Sequence, residues 1–400
     1  MNDLPNGWHF SRLDEVATIV RGVTYSSKDV LGSQTTEAIR LLRATNIQNG
    51  ALDQLDPVWI PRTLVKPQQV LEPGDVVIAS SSGSIQVVGK SAMVKAPMDA
   101  TFGAFCTTVR ATNVLPAYLA FYLQDPSLRQ KWSDLASGSN INNLKTTDIA
   151  ATFIPVPPLE EQKRIVEALD DHLSRLDKAL GDLGNAASQS LVFRRSILNQ
   201  LVNPQLSETD SKAYRTVLLR DLVDVLDSKR IPLSASERKH RQGVVPYFGA
   251  TGQVGTIDVP IFDEPLVLLG EDGVQFFDPY KPKAYKIKGP SWVNNHAHVL
   301  RPNPELVEFD YLFHYLNAID YQGFANGTTR LKLTQGAMNS IPVMMPDLSE
   351  QRRLVRILER SLESQDAARR AIASQTDALQ TLRRSLLNKA FRGELGTDHL

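Results

Sequence analysis

Residues 161–173 read EQKRIVEALDDHL, and residues 350–362 read EQRRLVRILERSL, 189 positions later. A second match has the same offset, because RRSILN at residues 194–199 returns as RRSLLN at residues 383–388. The number of residues between the two matches is the same in both copies, although the residues themselves differ. That behaviour is typical of a rigid element and not of a loop, where insertions and deletions are tolerated. The chain therefore contains an internal repeat.

The repeat extends on the N-terminal side of each match. NINNLKTTDIAATFIPVPPLEEQ at residues 140–162 parallels TRLKLTQGAMNSIPVMMPDLSEQ at residues 329–351, and the opening at residues 8–22 resembles residues 214–230. Prolines mark the junctions before each conserved stretch. We predict four segments in the order globule, helix, globule, helix, with the bounds 1–158, 159–202, 203–346 and 347–400.

The two conserved stretches are predicted to be long helices that pack against each other. Their apolar residues recur at alternating steps of three and four, which is a heptad pattern. The predicted seam consists of Val166, Leu169, Leu173, Leu176, Leu180 and Leu183 in the first helix and Val355, Leu358, Leu362, Ile372, Leu379 and Leu386 in the second. Residues 161–199 as one helix would reach roughly 58 Å. Two such helices joined through a globule are expected to form an antiparallel coiled coil; the alternative is two separate helices, each packed on its own domain.

The globules are predicted to have an α+β fold. Both mix short β-rich runs with Gly, Ser, Asn and Pro turns, and both end in aromatic helical stretches such as LAFYL and DYLFHYL. They resemble each other at their edges and differ in the middle. A shared scaffold with a divergent surface is expected of two related recognition domains in a pseudo-twofold repeat.

Composition describes an ordinary globular protein. The 400 residues are 42% hydrophobic and 22% charged, and 44 basic residues balance 44 acidic ones. No apolar run approaches the ~18 residues of a membrane span, and no secretory signal begins the chain, so we expect a cytoplasmic protein. The single cysteine, Cys106, lies in an apolar run, which favours an inert buried thiol.

Neither globule is basic overall. Residues 1–158 hold 13 basic and 13 acidic side chains, and residues 203–346 hold 15 and 16. This balance argues against a protein that coats nucleic acid by bulk charge. Basic residues do cluster at residues 229–230, 238–241 and 281–288. If the protein binds DNA, we expect weak binding by the isolated chain and tighter binding once partner subunits close around the duplex.

Several motifs resemble those of a known family, the specificity subunits of type I restriction-modification systems. They are PVPPLEEQKRIVEALD (155–170), PDLSEQRRLVRILE (346–359), NKAFRGEL (388–395), PYFGATGQVGTID (246–258), LLGEDG (268–273) and VNNHAHVLRP (293–302). The resemblance covers the whole chain. It implies one target recognition domain for each half of an interrupted DNA site, with the helices acting as a spacer.

The resemblance also implies partners. Two methyltransferase (modification) subunits would dock on the helices, with restriction subunits outside them, and S-adenosylmethionine would bind the methyltransferase and not this chain. A pseudo-twofold chain suits the local twofold symmetry of double-stranded DNA, with half-sites about one helical turn apart.

Direct readout of base edges needs side chains with paired donors and acceptors. Candidate DNA-binding residues in the first globule are Ser80, Ser81, Ser82, Ser84, Asn140, Asn142, Asn143 and Lys145. Those in the second are Lys239, Arg241, Tyr247, Thr251, Asn294, Asn295, His296, Arg330 and Lys332. Each alone is also compatible with a solvated turn.

The sequence gives no basis for catalysis by this chain. The glycine run at residues 249–255 resembles a nucleotide-binding loop, but the prolines that follow exclude the required helix and favour a tight turn. His296 and His298 would share a strand face, yet no third metal ligand is evident. Asp75, Glu271 and Asp272 are interpreted as turn residues. No Asn/Asp-Pro-Pro-aromatic motif of an amino-methyltransferase is present.

Two alternatives remain open from the sequence. One is a specificity subunit of a type IIB-like or methylation-only system, and the other is a coiled-coil adaptor whose globules bind protein.

Overall fold

The computed structural model describes residues 4–48, 50–53, 55–136, 141–202 and 214–395, apart from the side chains of Gln200 and Leu201. The chain divides into two compact units. The first contains Met1–Gly181 and Gln375–Leu400, and the second contains Asp182–Ser374. Each long helix therefore contributes a segment to both units.

The first unit is built on a four-stranded sheet of order β2-β11-β7-β9, a three-stranded sheet of order β10-β3-β6 and three two-stranded ladders. Its elements are β1 (His9–Arg12), α1 (Leu13–Val16), β2 (Ala17–Arg21), β3 (Ala38–Leu42), β4 (Ile47–Gln48), β5 (Ala51–Leu52), β6 (Val58–Pro61), β7 (Val76–Ala79), β8 (Ser81–Ser82), β9 (Ser91–Met93), β10 (Ala100–Phe102), β11 (Cys106–Ala111), α2 (Pro116–Leu123), α3 (Pro126–Ala136), β12 (Asn142–Asn143), α4 (Thr146–Ala150) and β13 (Phe153–Val156). The first long helix, α5 (Leu159–Val202), follows.

The second unit has two four-stranded sheets, of order β15-β22-β19-β20 and β17-β16-β21-β18. Its elements are β14 (Arg215–Leu218), β15 (Val223–Val225), α6 (Ala235–His240), β16 (Val245–Gly249), β17 (Gly252–Ile257), β18 (Phe262–Asp263), β19 (Leu266–Gly270), β20 (Ala284–Ile287), β21 (Pro290–Val293), β22 (Ala297–Pro302), α7 (Phe309–Ala318), β23 (Ala325–Asn326), β24 (Lys332–Leu333), α8 (Gln335–Asn339) and β25 (Pro342–Met345). The second long helix, α9 (Leu348–Ala390), completes the regular structure of the described residues.

The two units repeat one scaffold. In each, the first strand pairs antiparallel with the last strand before the long helix, as β1 with β13 and β14 with β25. In each, a tyrosine of the aromatic helix donates to that last strand: Tyr118 to the Pro155 carbonyl and Tyr311 to the Met344 carbonyl, and the two carbonyls lie 189 residues apart. The α+β prediction and the pseudo-twofold repeat are confirmed.

Each long helix is joined to its globule by a buried glutamine. The Gln162 side chain accepts from the Leu115 amide at 2.9 Å and donates to the Pro157 carbonyl at 2.9 Å. Gln351, 189 positions later, accepts from the Glu308 amide at 2.8 Å and donates to the Pro346 carbonyl at 2.9 Å. The first turn of each helix is therefore fixed by the same pair of hydrogen bonds.

The two long helices run antiparallel. Asp177 pairs with Arg383 in the first unit, and Arg194 pairs with Asp366 at 3.2 Å in the second. The helices are antiparallel because the later residue of α5, Arg194, contacts the earlier residue of α9, Asp366. Asp366 and Arg383 lie 189 positions after Asp177 and Arg194, so the two contacts are the same ion pair in the two copies of the repeat. The prediction of an antiparallel helix pair is confirmed, and the alternative of helices packed only on their own domains is wrong.

The predicted seam is only partly buried. Leu169, Leu173, Leu176, Val355, Leu358 and Leu362 are buried, whereas Val166, Leu180, Leu183, Ile372, Leu379 and Leu386 are half-buried. At two positions the neighbouring residue takes the buried place, because Ile165 and Leu387 are each 1% exposed. The heptad pattern assumed one partner, but these helix ends also pack into the core of a globule, which turns the buried face by one residue.

Gly181 and Gly184 lie inside α5, and a methyl group added at either position would have no atom within 4 Å. Glycine costs about 1 kcal/mol relative to alanine inside a helix. We expect Gly181→Ala and Gly184→Ala each to raise the free energy of unfolding by up to about 1 kcal/mol, measured by denaturant titration. Destabilisation by either change would contradict the continuous helix at this point.

Among the helices in the described ranges, none is both long enough and apolar enough to cross a bilayer.

Candidate nucleic-acid interface

In the first unit, the predicted Ser and Asn residues meet at one place. β12 pairs antiparallel with β8, which sets Asn142 opposite Ser82 and Asn143 opposite Ser81. The side-chain amide of Asn142 donates to the backbone carbonyls of Ser82 and Gly83, both at 3.3 Å. Ser84 and Lys145 are exposed beside this ladder. The two sequence clusters therefore form a single polar surface.

Two of the predicted serines lie beneath that surface. Ser80 and Ser81 are 4% and 8% exposed. The Ser80 hydroxyl donates to the Phe105 carbonyl at 3.1 Å, and the Ser81 hydroxyl donates to the Asn143 side chain at 2.5 Å. The interpretation of these two as base-contacting residues is corrected, because their hydroxyls are used to hold the surface together. Asn140 lies outside the described residues.

Residues that the sequence did not single out complete this surface. Phe105 is 63% exposed and Ile141 is 55% exposed, and both border two open cavities of about 410 and 460 Å³. Arg43 lines the first cavity, and Arg21 and Lys145 line the second. Exposed apolar groups flanked by cations suit a ligand that has both flat faces and negative charge.

Cys106, next to Phe105, is fully buried, and burial raises the pKa of its thiol to about 12. The thiol is therefore protonated and unreactive at neutral pH, as the sequence predicts. Asp75 is also buried, and it forms two 2.7 Å hydrogen bonds with Arg110. Its role is an ion pair in addition to the predicted turn.

In the second unit, the glycine run forms a hairpin and not a nucleotide-binding loop. β16 and β17 pair antiparallel around a turn that exposes Thr251. Lys239 is exposed on α6, and Arg241 stacks over the Trp292 ring at 4.6 Å while it pairs with Asp258 at 2.9 Å. Arg241 thus lies near the end of the hairpin opposite the turn that carries Thr251.

Tyr247 is 2% exposed, which corrects its interpretation as a residue that contacts bases. Burial raises the pKa of its hydroxyl, and the ring lies 5.1 Å below the Arg238 guanidinium. Tyr247 also hydrogen-bonds Asn294, which is itself only 9% exposed. Both residues support the surface from within the unit.

A second polar group forms where the GEDG, NNHAH and TRLKL segments meet. His296 Nδ1 lies 2.9 Å from Asp272 Oδ1, and Arg330 lies 2.6 Å from the same oxygen. Lys332 lies 3.1 Å from Glu271, and Asn295 is exposed beside His296. Four of the predicted residues, Asn295, His296, Arg330 and Lys332, are thus brought together at one surface. Glu271 and Asp272 are ion-pair partners and not simple turn residues.

A buried ion-pair network supports this surface. Arg230 contacts Asp227 at 3.2 Å and Glu271 at 2.8 Å. His298, 1% exposed, lies 2.6 Å from Asp227 and 2.8 Å from the Leu333 carbonyl. Burial raises the pKa of Glu271, but hydrogen bonds from Arg230 and Lys332 outweigh that effect and the net pKa lies below its ordinary value. Glu271 is therefore ionised.

Asp227, Glu271 and His298 place three potential metal-ligating atoms within 4.8 Å of one another. The Arg230 guanidinium already bridges the two carboxylates, however, and supplies the positive charge that a cation would bring. We therefore interpret the cluster as a structural network that fixes β22 and β24. The sequence did not reveal it, because Glu271 lies 41 positions after Arg230 and His298 lies 71 positions after Asp227.

The predicted basic cluster at residues 281–288 is not an open patch. Lys283 is 2% exposed, and burial lowers the pKa of its ammonium group to about 8. Lys286 pairs with Asp310 at 2.5 Å. This part of the unit offers less free positive charge than its composition indicates.

Comparison with known proteins identifies the same scaffold elsewhere. A chain from a solved structure on complex assembly and conformational transition of a type I restriction-modification system superposes with a TM-score of 0.76, at 21% identity, over 99% of this chain and 100% of its own length. The HsdS subunit from Thermoanaerobacter tengcongensis superposes with a TM-score of 0.54, at 20% identity, over 98% of each chain. These likenesses concern the fold.

Sequence comparison gives closer relatives. The chain is 30% identical over 418 residues to the type I restriction enzyme EcoKI specificity subunit of Escherichia coli strain K12, and 29% identical over 430 residues to the StySPI specificity subunit of Salmonella potsdam. Each alignment covers 98% of this chain and 90% of the relative. The family model described as the type I restriction modification DNA specificity domain matches twice, at residues 5–182 and 212–372. With most of its length matched in two successive copies, this chain belongs to the type I restriction modification DNA specificity family.

Proposed function

We propose that this chain is the non-catalytic DNA-reading subunit of a type I restriction-modification complex. Each unit reads one half of an interrupted target in double-stranded DNA, and the antiparallel helices set the distance between the halves. The observation that carries this proposal is one scaffold present twice with two dissimilar polar surfaces. A protein-binding adaptor has no comparable support, since the relatives matched over nearly the full chain are restriction specificity subunits.

We assign methylation and DNA cleavage to partner subunits. Two modification subunits dock on the helices and bind S-adenosylmethionine, and restriction subunits join the complex; the complex works in the cytoplasm. For this chain we propose DNA contacts by the predicted residues that are at least partly exposed, Ser82, Ser84, Asn142, Asn143 and Lys145 in the first unit and Lys239, Arg241, Thr251, Asn295, His296, Arg330 and Lys332 in the second.

The charge distribution supports a need for those partners. Arg241, Arg330 and Lys332 are each paired with a carboxylate of the same unit. Paired cations release few counterions when they meet phosphates, so they add little non-specific affinity. Phosphate contacts from the partner subunits would supply the rest of the non-specific affinity for DNA.

The test is an exchange of one unit's recognition segment. Residues 1–158 would be replaced by the matching segment of a relative with a different target, so that the paired strands β1 and β13 move together. Because each unit has its own polar surface, we expect one half-site to change and the other to stay. The readout is the set of methylated sites in cells that also express the modification subunits.

The reciprocal exchange of residues 214–346 is the matched control, and it is expected to change only the other half-site. Alteration of both half-sites by either exchange would contradict independent recognition.

A further inference from the structure

Arg330 lies on a short hairpin whose position is fixed by the rest of the second unit. β23 and β24 pair antiparallel, and the turn between them includes Gly327 with a φ of 135°. The Leu333 amide donates to the Glu271 carbonyl at 2.7 Å, and His298 contacts the Leu333 carbonyl at 2.8 Å. The hairpin is thus held by both the GEDG segment and the buried network.

The Arg330 guanidinium is itself held in place while most of it remains open to solvent. It donates to Asp272 at 2.6 Å, and its side chain is 62% exposed whereas that of Asp272 is 17% exposed. Gly273, with a φ of 69°, lies against it, since a methyl group there would come within 3.4 Å of the guanidinium. In the part of the chain that the structure describes, this is the one hydrogen bond of the Arg330 side chain, which uses one of its five donors.

This arrangement suits a base edge better than a phosphate. A phosphate contact needs positive charge, and the carboxylate of Asp272 cancels that charge and repels a nearby phosphate. A base contact needs a correctly oriented planar fork, and Asp272 orients the guanidinium before DNA arrives. Holding a long side chain in place beforehand also reduces the entropy lost on binding.

Guanine is the base whose edge matches a guanidinium. Its O6 and N7 atoms are adjacent acceptors in the major groove, and an arginine pair to these atoms is the commonest specific contact. Resting on the proposed function, we propose that Arg330 reads a guanine in the half-site of the second unit and that Asp272 is its positioning residue.

The experiment uses the full chain assembled with its modification subunits. Bound duplexes are selected from a random library with the native protein and with Arg330→Lys, which keeps the charge but loses the fork. We expect the variant to lose about 5- to 150-fold of its discrimination at one G·C pair of one half-site and to keep every other position. Replacing that guanine by 7-deazaguanine, which lacks the N7 acceptor, should weaken binding by the native protein about fivefold or more, and binding by Arg330→Lys less than about twofold.

Asp272 is tested by Asp272→Asn and by the conservative Asp272→Glu. We expect Asp272→Asn to relax the position that Arg330 reads, and any position that His296 contacts through the same Asp272 oxygen, without loss of affinity for non-specific DNA. Asp272→Glu should restore this discrimination at least in part. A merely structural role would instead lower affinity at all positions together with thermal stability, and that result would overturn the assignment. Arg301→Lys is the matched control for Arg330→Lys, because Arg301 forms a similar ion pair with Glu264 at 2.6 Å.

The outcomes separate the two proposals. A uniform loss of affinity by Arg330→Lys, with a shallower salt dependence, indicates a phosphate contact and overturns the guanine assignment alone. Unchanged discrimination at every position overturns it as well. Failure of the native complex to select any sequence overturns the proposed function itself.

Discussion

Lengthening both long helices by four residues is expected to lengthen the unspecific spacer of the target and to leave both half-sites unchanged. The insertions go near Ala187 in α5 and near Ser374 in α9, close to where the chain passes from one compact unit into the other. Four residues add about 6 Å of helix and rotate it by only about 40° beyond a full turn. With about 3.4 Å per base pair, the spacer should grow by one or two base pairs.

The insertions must be matched because the helices are antiparallel. The ion pairs Asp177–Arg383 and Arg194–Asp366 keep their partners only if both helices grow equally. The control is the double substitution Gly181→Ala and Gly184→Ala, which alters the same helix without altering its length and should leave the spacer as it is. Methylated-site mapping measures both variants, and changed half-sites with an unchanged spacer would contradict the account.

Removing the buried glutamine side chain at the start of either long helix is expected to cause the largest loss of stability. Gln351→Ala leaves the Glu308 amide and the Pro346 carbonyl without partners, and Gln162→Ala does the same to the Leu115 amide and the Pro157 carbonyl. Each buried group left unpaired costs about 1–3 kcal/mol. For two such groups we therefore expect each variant to lose about 2–6 kcal/mol of unfolding free energy, measured by denaturant titration.

Two further variants separate hydrogen bonding from packing. Gln351→Met keeps the volume of the side chain and should be destabilised nearly as much as Gln351→Ala, with faster hydrogen exchange at the Glu308 amide. Gln375→Ala, at an exposed position of the same helix, should change stability by less than about 0.5 kcal/mol. Native stability in Gln351→Met would refute the role assigned to these hydrogen bonds.

The sequence predicts the helices and the repeat well because both leave periodic or duplicated signals. Gln162 and Gln351 are 189 positions apart, and each donates to a proline carbonyl of its own unit. The same offset relates the ion pair Asp177–Arg383 in the first unit to the ion pair Asp366–Arg194 in the second. The prediction of which helix residues are buried in the seam is less accurate. A helix that packs on two neighbours has a wider apolar face than a heptad implies, which is why Ile165 is buried and Val166 only half-buried.

The recognition surfaces are less predictable, because side chains distant in sequence decide which groups are exposed. Ser80 and Ser81 are polar in the sequence, but β8 pairs with β12, 62 positions after Ser81, and both serines are buried. Asp272 pairs with Arg330 across 58 positions, so a turn residue becomes a positioning residue. Composition alone also hides Phe105, whose exposure follows from its place in the turn between β10 and β11.

The most direct measurement is a genome-wide map of methylated bases in cells that express this chain with its modification subunits. We expect one motif with two fixed parts, separated by an unspecific spacer of constant length. A single uninterrupted motif, or two parts with variable spacing, would contradict recognition by two units held at a set distance.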